Sequence, residues 1–252
     1  MTSIFFVSCS KSTPSNSTTT PTVNATVPEV YKKIYGASSI TSDGTYITIK
    51  SNGMPDHKSP YYATTHASYE TFSGTTFGGS TFSKNPNSIA EKAYTFKIPA
   101  DPKVASSHAA TPLGPIGVSL NGIPFFNQYA GPNQPLTGEI VSFDRYWGHP
   151  TPTSAYHYHV EPLYLTTVKS IKSGLLGFLL DGFPVYGPEE NGGLVDLLTD
   201  PDLGAVLIAN IGANVIYSTV RNLHDVGVFS EGQLQALQLA NAIEFNHLLC
   251  KK

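Results

Sequence analysis

A strict alternation of tyrosine and histidine at residues 156–159 is the feature that most limits how this chain can fold. If the segment is a β-strand, successive side chains point to opposite faces, so His157 and His159 lie on one face and Tyr156 and Tyr158 on the other. The two imidazoles are then roughly 6 to 7 Å apart, a spacing at which both can bind one metal ion. The tyrosine rings can pack into a core with their hydroxyls at its edge. We therefore predict a strand with a chemical face and a packing face.

Two more side chains that can bind metal precede this alternation. Asp144 and His149 place one carboxylate and three imidazoles within sixteen residues of sequence. Neutral imidazole is the commonest transition-metal ligand, and a carboxylate can act as a further ligand or fix an imidazole tautomer. The sequence thus predicts a zinc or copper site at His149, His157 and His159, with Asp144 as fourth ligand or second-shell base. The same residues would also fit a hydrogen-bonded sheet surface without metal, with Asp144 as an ordinary salt-bridge partner.

A ten-residue segment recurs sixty residues later in the chain. Gly117–Phe126 aligns with Gly177–Tyr186 without a gap, at a constant offset of 177 − 117 = 60. Each copy has a turn dipeptide between apolar runs, Asn121-Gly122 and Asp181-Gly182, which predicts a β-hairpin with a type I′ turn. The proline two residues later predicts a returning arm that is an edge strand or soon leaves the sheet. We interpret Asp181 as a turn residue and predict two related half-units.

Composition and spacing favour a mainly β fold. Charged residues make up only 13% of the chain, while 22 glycines and 19 prolines supply turns. Residues 46–50 and 93–98 alternate apolar and polar side chains, as half-buried strands do. We expect a β-rich domain that is sandwich-like or built from two repeated hairpin half-units. A capping box that starts at Ser230 precedes an apolar periodicity of helical type, so we also expect a C-terminal α-helix over residues 231–249.

The segments Phe143–His159, Gly117–Asn127 and Gly177–Pro188 resemble the bacterial YHYH protein family. The resemblance is closest across residues 110–195. It implies an exported, often lipid-anchored and β-rich protein, and it identifies a site better than it identifies a reaction. The positions that the resemblance marks are Asp144, Gly148, His149, Tyr156, His157, Tyr158, His159, Asp181, Gly182 and Pro184.

The resemblance fades in the last part of the chain, residues 201–252. It implies a second Tyr-His-Tyr-His element, which the repeat places near Ile216 because that residue lies 34 positions after Gly182, as Tyr156 does after Gly122. The segment Asn214–Val220 contains no histidine. We interpret this stretch as a divergent tail or an altered reading of the gene, and a site that needs both halves would be incomplete.

The first residues point to where the protein acts. An apolar run followed by Ser8-Cys9 is typical of the end of a bacterial lipoprotein signal, in which Cys9 is acylated. Residues 1–9 are shorter than a full signal and lack a basic start, so we interpret them as its residual end. A chance match in a cytosolic protein is the alternative. Residues 10–28, dominated by Ser, Thr, Asn and Pro, predict a disordered tether, which leaves 29–252 as the domain. We therefore expect an extracytoplasmic protein held on a bacterial membrane by a lipid anchor.

Two classes of function remain open. The net charge of −3 and the lack of a lysine or arginine cluster argue against nucleic acid as a partner. The first class is a metal-dependent site that hydrolyses a substrate or only captures zinc or copper. The second is a non-enzymatic module that binds a glycan or polymer on an exposed platform of Tyr146, Trp147 and Phe126. The small-molecule ligand and any catalysed reaction stay undetermined at this level.

Overall fold

The computed structural model describes residues 22–24, 26–103, 111–127, 129–187, 189–190 and 193–194. Short β-strands dominate these residues, and the predicted mainly β class is confirmed. Helical structure within them is limited to single turns: four 3₁₀ turns and one π-helical turn, at Tyr31–Lys33, Phe77–Gly79, Leu136–Gly138, Ile140–Ser142 and Tyr164–Val168. None of the described helices is long and apolar enough to span a membrane. The predicted helix at 231–249, Cys9 and the expected second element near Ile216 lie outside the described residues.

A four-stranded sheet forms the first layer. Its strands lie in chain order, β1 (Thr22–Val23), β2 (Ser39–Ser42), β3 (Tyr46–Ser51) and β4 (Tyr94–Pro99), with β1 parallel to β2 and the other pairs antiparallel. The strands predicted at 46–50 and 93–98 are thus found as β3 and β4. Strand β1 lies inside the segment 10–28 that the sequence assigns to a tether. It joins the sheet through backbone pairing with Ser39 and Ile40, which needs no apolar side chains.

A six-stranded sheet forms the second layer and carries the histidines. Its strands are β5 (Pro115–Ser119), β6 (Pro124–Phe126), β9 (Gly148–Pro150), β10 (Tyr156–Tyr158), β11 (Leu175–Leu179) and β12 (Pro184–Tyr186). Their spatial order is β12-β11-β5-β6-β10-β9. Two small hairpins complete the described strands, namely β7 (Tyr129–Ala130) with β8 (Gln134–Pro135) and β13 (Glu189–Glu190) with β14 (Gly193–Leu194).

The two repeats form equivalent hairpins that pair with each other at the centre of this sheet. Strands β5 and β11 are antiparallel, with Val118 opposite Phe178, two residues that are themselves sixty positions apart. The backbone hydrogen bonds are reciprocal, because Leu120 N donates to Leu176 O and Leu180 N donates to Ile116 O, both at 2.8 Å. This reciprocity is that of an approximate two-fold axis. The predicted half-units are therefore present, and they extend to β7 and β13, which are also sixty residues apart.

The turns of these hairpins differ from the predicted type I′. Gly122 and Gly182 have φ of +78° and +96°, but neither Asn121 nor Asp181 has positive φ. In the first copy Gly122 N donates to Ser119 O, and the second copy repeats this bond. Each is a three-residue loop whose last residue is a left-handed glycine, a common alternative for the same dipeptide. The edge-strand prediction is confirmed for β12, which lies at one edge of the sheet. It is wrong for β6, which lies between β5 and β10, because a proline is tolerated as the first residue of a strand.

One main core joins the two sheets, and a smaller one closes the histidine end. The main cluster includes Ile47 and Ile98 from the first sheet and Val118 and Phe178 from the second, all buried. Burial of facing apolar side chains from two sheets is the sandwich-like arrangement that the alternating patterns predict. The smaller cluster packs beside the histidine face and consists of Phe77, Ala130, Leu136, Ile140, Phe143 and Val160, with Trp147 against it.

Candidate metal centre

The strand pair β9–β10 brings the three predicted histidines together. His149 of β9 lies directly opposite His157 of β10 in antiparallel register, so their side chains share a face of the sheet. His159 follows two residues after His157 and therefore projects to the same side. Each of the three residues is only 3% exposed. The predicted separation of imidazole and tyrosine faces is thus present, and strand register adds the third histidine.

The Nε2 atoms of the three rings converge. His149 Nε2 lies 3.1 Å from His157 Nε2, and His157 Nε2 lies 2.8 Å from His159 Nε2. One potential ligand atom from each ring lies within 4.8 Å of the others. A point about 2.0 to 2.1 Å from two such atoms exists, because both measured distances are shorter than twice that value. The group has the dimensions of a three-histidine metal site.

The other ring nitrogens show which tautomer each histidine adopts. His157 Nδ1 lies 3.1 Å from the carbonyl oxygen of Ala155, and His159 Nδ1 lies 2.6 Å from that of Asn127. A carbonyl oxygen only accepts, so both Nδ1 atoms carry the proton. The Ser142 hydroxyl donates to the carbonyl oxygen of Glu139 at 2.8 Å, and it therefore accepts from His149 Nδ1 at 2.7 Å. All three Nε2 atoms are consequently left with lone pairs.

The electrostatics of the cluster keep its three imidazoles uncharged. Burial, reinforced by the neighbouring imidazoles, lowers the pKa of His149 and His157 well below the usual value. Burial likewise lowers the pKa of His159 to about 4. At neutral pH three uncharged nitrogens therefore face one another without a hydrogen between them. Such an arrangement is repulsive by itself and is suited to a cation.

Aromatic rings and a cleft surround the three imidazoles. Phe126 stacks on His157 with ring centroids 4.0 Å apart, and Phe143 meets His149 edge to face at 4.8 Å. These contacts hold the rings in place and keep the surroundings apolar. The histidines line a cleft of about 540 Å³, whose other walls include Lys84 and Glu139. An ion bound by three side chains here would keep a position open to a small molecule in the cleft.

Asp144 does not join the three histidines, so its prediction as a metal ligand is corrected. It is fully buried and belongs to the tyrosine side of β10, where Ser59 Oγ donates to it at 2.6 Å and the Tyr156 hydroxyl donates at 2.9 Å. Its other oxygen accepts from the backbone N–H of Tyr146 at 2.9 Å. Burial raises the pKa of Asp144, and these hydrogen bonds act in the opposite direction. The residue fastens the loop before β9 to β10, behind the histidines.

The second tyrosine of the alternation is anchored in the same way. The Tyr158 hydroxyl lies 3.2 Å from His57 Nε2 and accepts from Asn121 Nδ2 at 3.1 Å. Asn121 is therefore more than a turn residue, since its side chain ties the first hairpin to β10. Its counterpart Asp181 has the turn role predicted for it, because its carboxylate accepts from the N–H of Phe183 at 3.3 Å.

Two residues near the histidines were missed by the sequence reasoning. Ser142 orients His149, as described above, and the Glu139 carboxylate oxygen Oε2 lies 3.6 Å from His149 Nε2. Burial raises the pKa of Glu139. Glu139 lies between the 3₁₀ turns Leu136–Gly138 and Ile140–Ser142, and Ser142 ends the second turn; neither residue has a ligand-like spacing with the histidines. Their nearness to His149 in sequence was the one available signal.

The aromatic platform of the alternative interpretation is not assembled on an open surface. Tyr146, Trp147 and Phe126 are each only partly exposed. Tyr146 faces the ring of His57 at 4.5 Å, Trp147 packs edge to face on Phe77 at 5.0 Å, and Phe126 stacks on His157. The three rings therefore belong to three different environments.

The fold and the histidine cluster define a β-rich protein with a three-imidazole site. The model of the YHYH protein family matches residues 95–196, which contain both hairpins, the histidine strands and Asp144. This part of the chain belongs to the YHYH family, and the family predicted from the sequence is confirmed. Comparison with curated proteins and with solved structures gave no match.

Proposed function

We propose that this protein binds zinc or copper through the Nε2 atoms of His149, His157 and His159. The observation that carries the proposal is the convergence of the three buried Nε2 atoms, together with the oxygen atom that lies beside each Nδ1. Each Nδ1 donates to a fixed acceptor, so three lone pairs converge at Nε2···Nε2 distances of 2.8 and 3.1 Å. Imidazole suits both zinc and copper, and hydrogen-bonded Nδ1–H groups are the usual support of metal-binding histidines.

The energetics favour a bound cation over an empty cluster. Burying a polar atom without a partner costs about 1 to 3 kcal/mol in proteins, and here three such atoms also repel one another. A metal ion satisfies all three at once. Opening the pairs by a few tenths of an ångström would reach the edge length of a tetrahedral site, about 3.3 Å for bonds of 2.0 to 2.1 Å. The cleft would then supply the fourth ligand from solvent or from a small molecule.

We further propose that the site acts outside the cytoplasm, with the chain held on a membrane through acylated Cys9. The support is the apolar run that ends at Ser8-Cys9 and the polar composition of the following residues. Expression of the chain behind a complete lipoprotein signal, with and without Cys9→Ser, tests this. Wild-type protein should incorporate labelled palmitate and sediment with membranes, whereas the variant should do neither; equal behaviour of the two would contradict the anchor.

The metal proposal is tested by elemental analysis of the full 252-residue chain purified without chelator. The test variant is His157→Asn/His159→Asn, because an asparagine amide can occupy the place of Nδ1–H and keep its hydrogen bond while the Nε2 atom is removed. The matched control is His66→Asn, a change of an exposed histidine whose ring stacks on Tyr62 at 4.2 Å away from the cluster.

One equivalent of zinc or copper is expected in the wild type and in the control, and none in the double variant. Titration of chelator-treated protein should restore the same stoichiometry. The absence of binding in the wild type, even with added metal, would overturn the proposal. Equal binding in the double variant would place the metal elsewhere in the chain.

A further inference from the structure

Glu139 is an acidic side chain at the mouth of the histidine cluster. It follows the 3₁₀ turn Leu136–Gly138, and its side chain is 40% exposed in the same cleft as the three imidazoles. Its main chain also serves the site, because the Glu139 carbonyl accepts from Ser142, which in turn holds His149 Nδ1. The turn therefore places the carboxylate and orients the neighbouring imidazole at the same time.

The contact of this carboxylate with His149 is electrostatically unfavourable when no donor lies between the two groups. Oε2 lies 3.6 Å from His149 Nε2, and that nitrogen carries a lone pair since its partner Nδ1 holds the proton. The ion pairs of Lys32, Lys103, Arg145 and Lys169 each involve an acid other than Glu139. Two electron-rich atoms in this position call for a hydrogen-bond donor between them.

A direct role of Glu139 as fourth metal ligand fits the distances less well. Three histidine nitrogens lie within 4.8 Å of one another, and Glu139 is outside that group. Ligand atoms of one tetrahedral zinc ion are only about 3.3 Å apart, so all four would have to be mutually close. The carboxylate approaches His149 alone. The carboxylate is therefore placed to form a hydrogen bond with a molecule bound at the open position of the ion, and not to bind the ion itself.

The geometry points to Glu139 as the general base that takes a proton from a water molecule held at the open position of the three-histidine site. This inference rests on the proposed metal binding. When zinc is bound, it lowers the pKa of that water and polarises a substrate carbonyl. A carboxylate within hydrogen-bond reach of the water is the group that can accept its proton.

The reaction class that follows is hydrolysis of a carboxylic ester or amide. An O–H bond of the water breaks and its proton moves to Glu139, while the water oxygen forms a bond to the carbonyl carbon. The bond from that carbon to the alcohol or amine then breaks, and the proton on Glu139 passes to the leaving oxygen or nitrogen. The products are a carboxylic acid and an alcohol or amine. Phosphoryl hydrolysis commonly uses two ions about 3.5 to 4 Å apart. The described residues form one histidine cluster with three ligand atoms, which fits a single ion and favours ester or amide hydrolysis.

The test uses 4-nitrophenyl acetate and the zinc-loaded full chain. The variant is Glu139→Gln, which keeps the size and polarity of the side chain but cannot accept a proton. The matched control is Glu29→Gln, because Glu29 is 87% exposed and does not line the cleft. The zinc-dependent rate is the excess over the zinc-treated His157→Asn/His159→Asn protein. Zinc affinity is measured in parallel by competition with a chromophoric chelator.

Glu139→Gln should lower the zinc-dependent rate by about 100-fold or more, the usual contribution of a general base, and change the zinc affinity by no more than about threefold. The control Glu29→Gln should match the wild type in both the zinc-dependent rate and the zinc affinity. Equal rates for wild type and Glu139→Gln, with zinc bound to both, would overturn the role of Glu139 and leave metal binding intact. A loss of zinc from Glu139→Gln would make it a ligand and also overturn the inference. Failure of the wild type to bind zinc would remove the proposed function itself.

Discussion

The metal-free protein should lose stability between pH 7 and pH 5 because its buried imidazoles must stay neutral. His159 has a folded-state pKa of about 4, below the usual value of 6.5. The unfolded chain takes up a proton as the pH falls through about 6.5, whereas the folded chain does so only near the lower value. The unfolded state therefore binds more protons across this window, and the free energy of unfolding falls as the pH falls.

The size of the effect follows from the same pKa values. A pH of 5 is about 1.5 units below the pKa of the imidazole in the unfolded chain, so that imidazole is protonated, whereas the folded one is still mostly neutral. One unit corresponds to about 1.36 kcal/mol, so His159 alone costs about 2 kcal/mol at pH 5. His149 and His157 are shifted in the same direction and add to the loss. This is a large fraction of the 5 to 15 kcal/mol that stabilises an ordinary domain.

The assay is urea unfolding of chelator-treated protein at both pH values, followed by fluorescence of Trp147, which is the single tryptophan of the chain. The comparison is with His159→Asn, whose amide can still donate to the carbonyl of Asn127. Asp144 and Glu139 have raised pKa values and act in the opposite direction, but they are present in both proteins. The variant should lose about 2 kcal/mol less than the wild type. The same loss in both proteins would refute the assignment of this effect to His159.

Two substitutions test how the site is supported from the tyrosine side. Asp144→Asn should lower the free energy of unfolding by about 2 to 4 kcal/mol, because it weakens the hydrogen bonds that Ser59 and Tyr156 donate to the carboxylate. One equivalent of metal should still bind to this variant at pH 7. Loss of metal with unchanged stability in urea would instead indicate that Asp144 binds the metal directly. Gly148→Ala should cost about 1 to 3 kcal/mol in the same assay, since the added methyl would overlap the phenol ring of Tyr156. Wild-type stability in this variant would show that the ring can move without cost.

Much of the histidine strand was predictable because its pattern is local. A side-chain period of two fixes which residues share a face wherever the strand is placed, so His157 and His159 could be paired before the fold was known. The repeat likewise predicted two hairpins, found as β5–β6 and β11–β12. The turn type was predicted wrongly because the same Asn-Gly or Asp-Gly dipeptide fits both a two-residue and a three-residue loop.

The role of Asp144 shows where local reasoning stops. Nearness in sequence to three histidines suggested a ligand, but the carboxylate lies on the other side of the strand, bonded to Ser59, which is 85 residues away in the chain. A loop can deliver a side chain to either face of a sheet. Which face it reaches depends on contacts with distant segments, and no spacing within the loop encodes them.

The sequence by itself determined the mainly β class, the paired half-units and the shared face of His157 and His159, because each follows from a periodicity or a turn dipeptide. The tertiary structure decided that His149 lies opposite His157, that Ser142 and the Asn127 carbonyl fix the imidazole tautomers, and that Glu139 stands at the mouth of the site. These features depend on strand register and on how the 3₁₀ turns that precede β9 pack against the histidines. The physical reason is that such contacts form only when the core brings separate segments together.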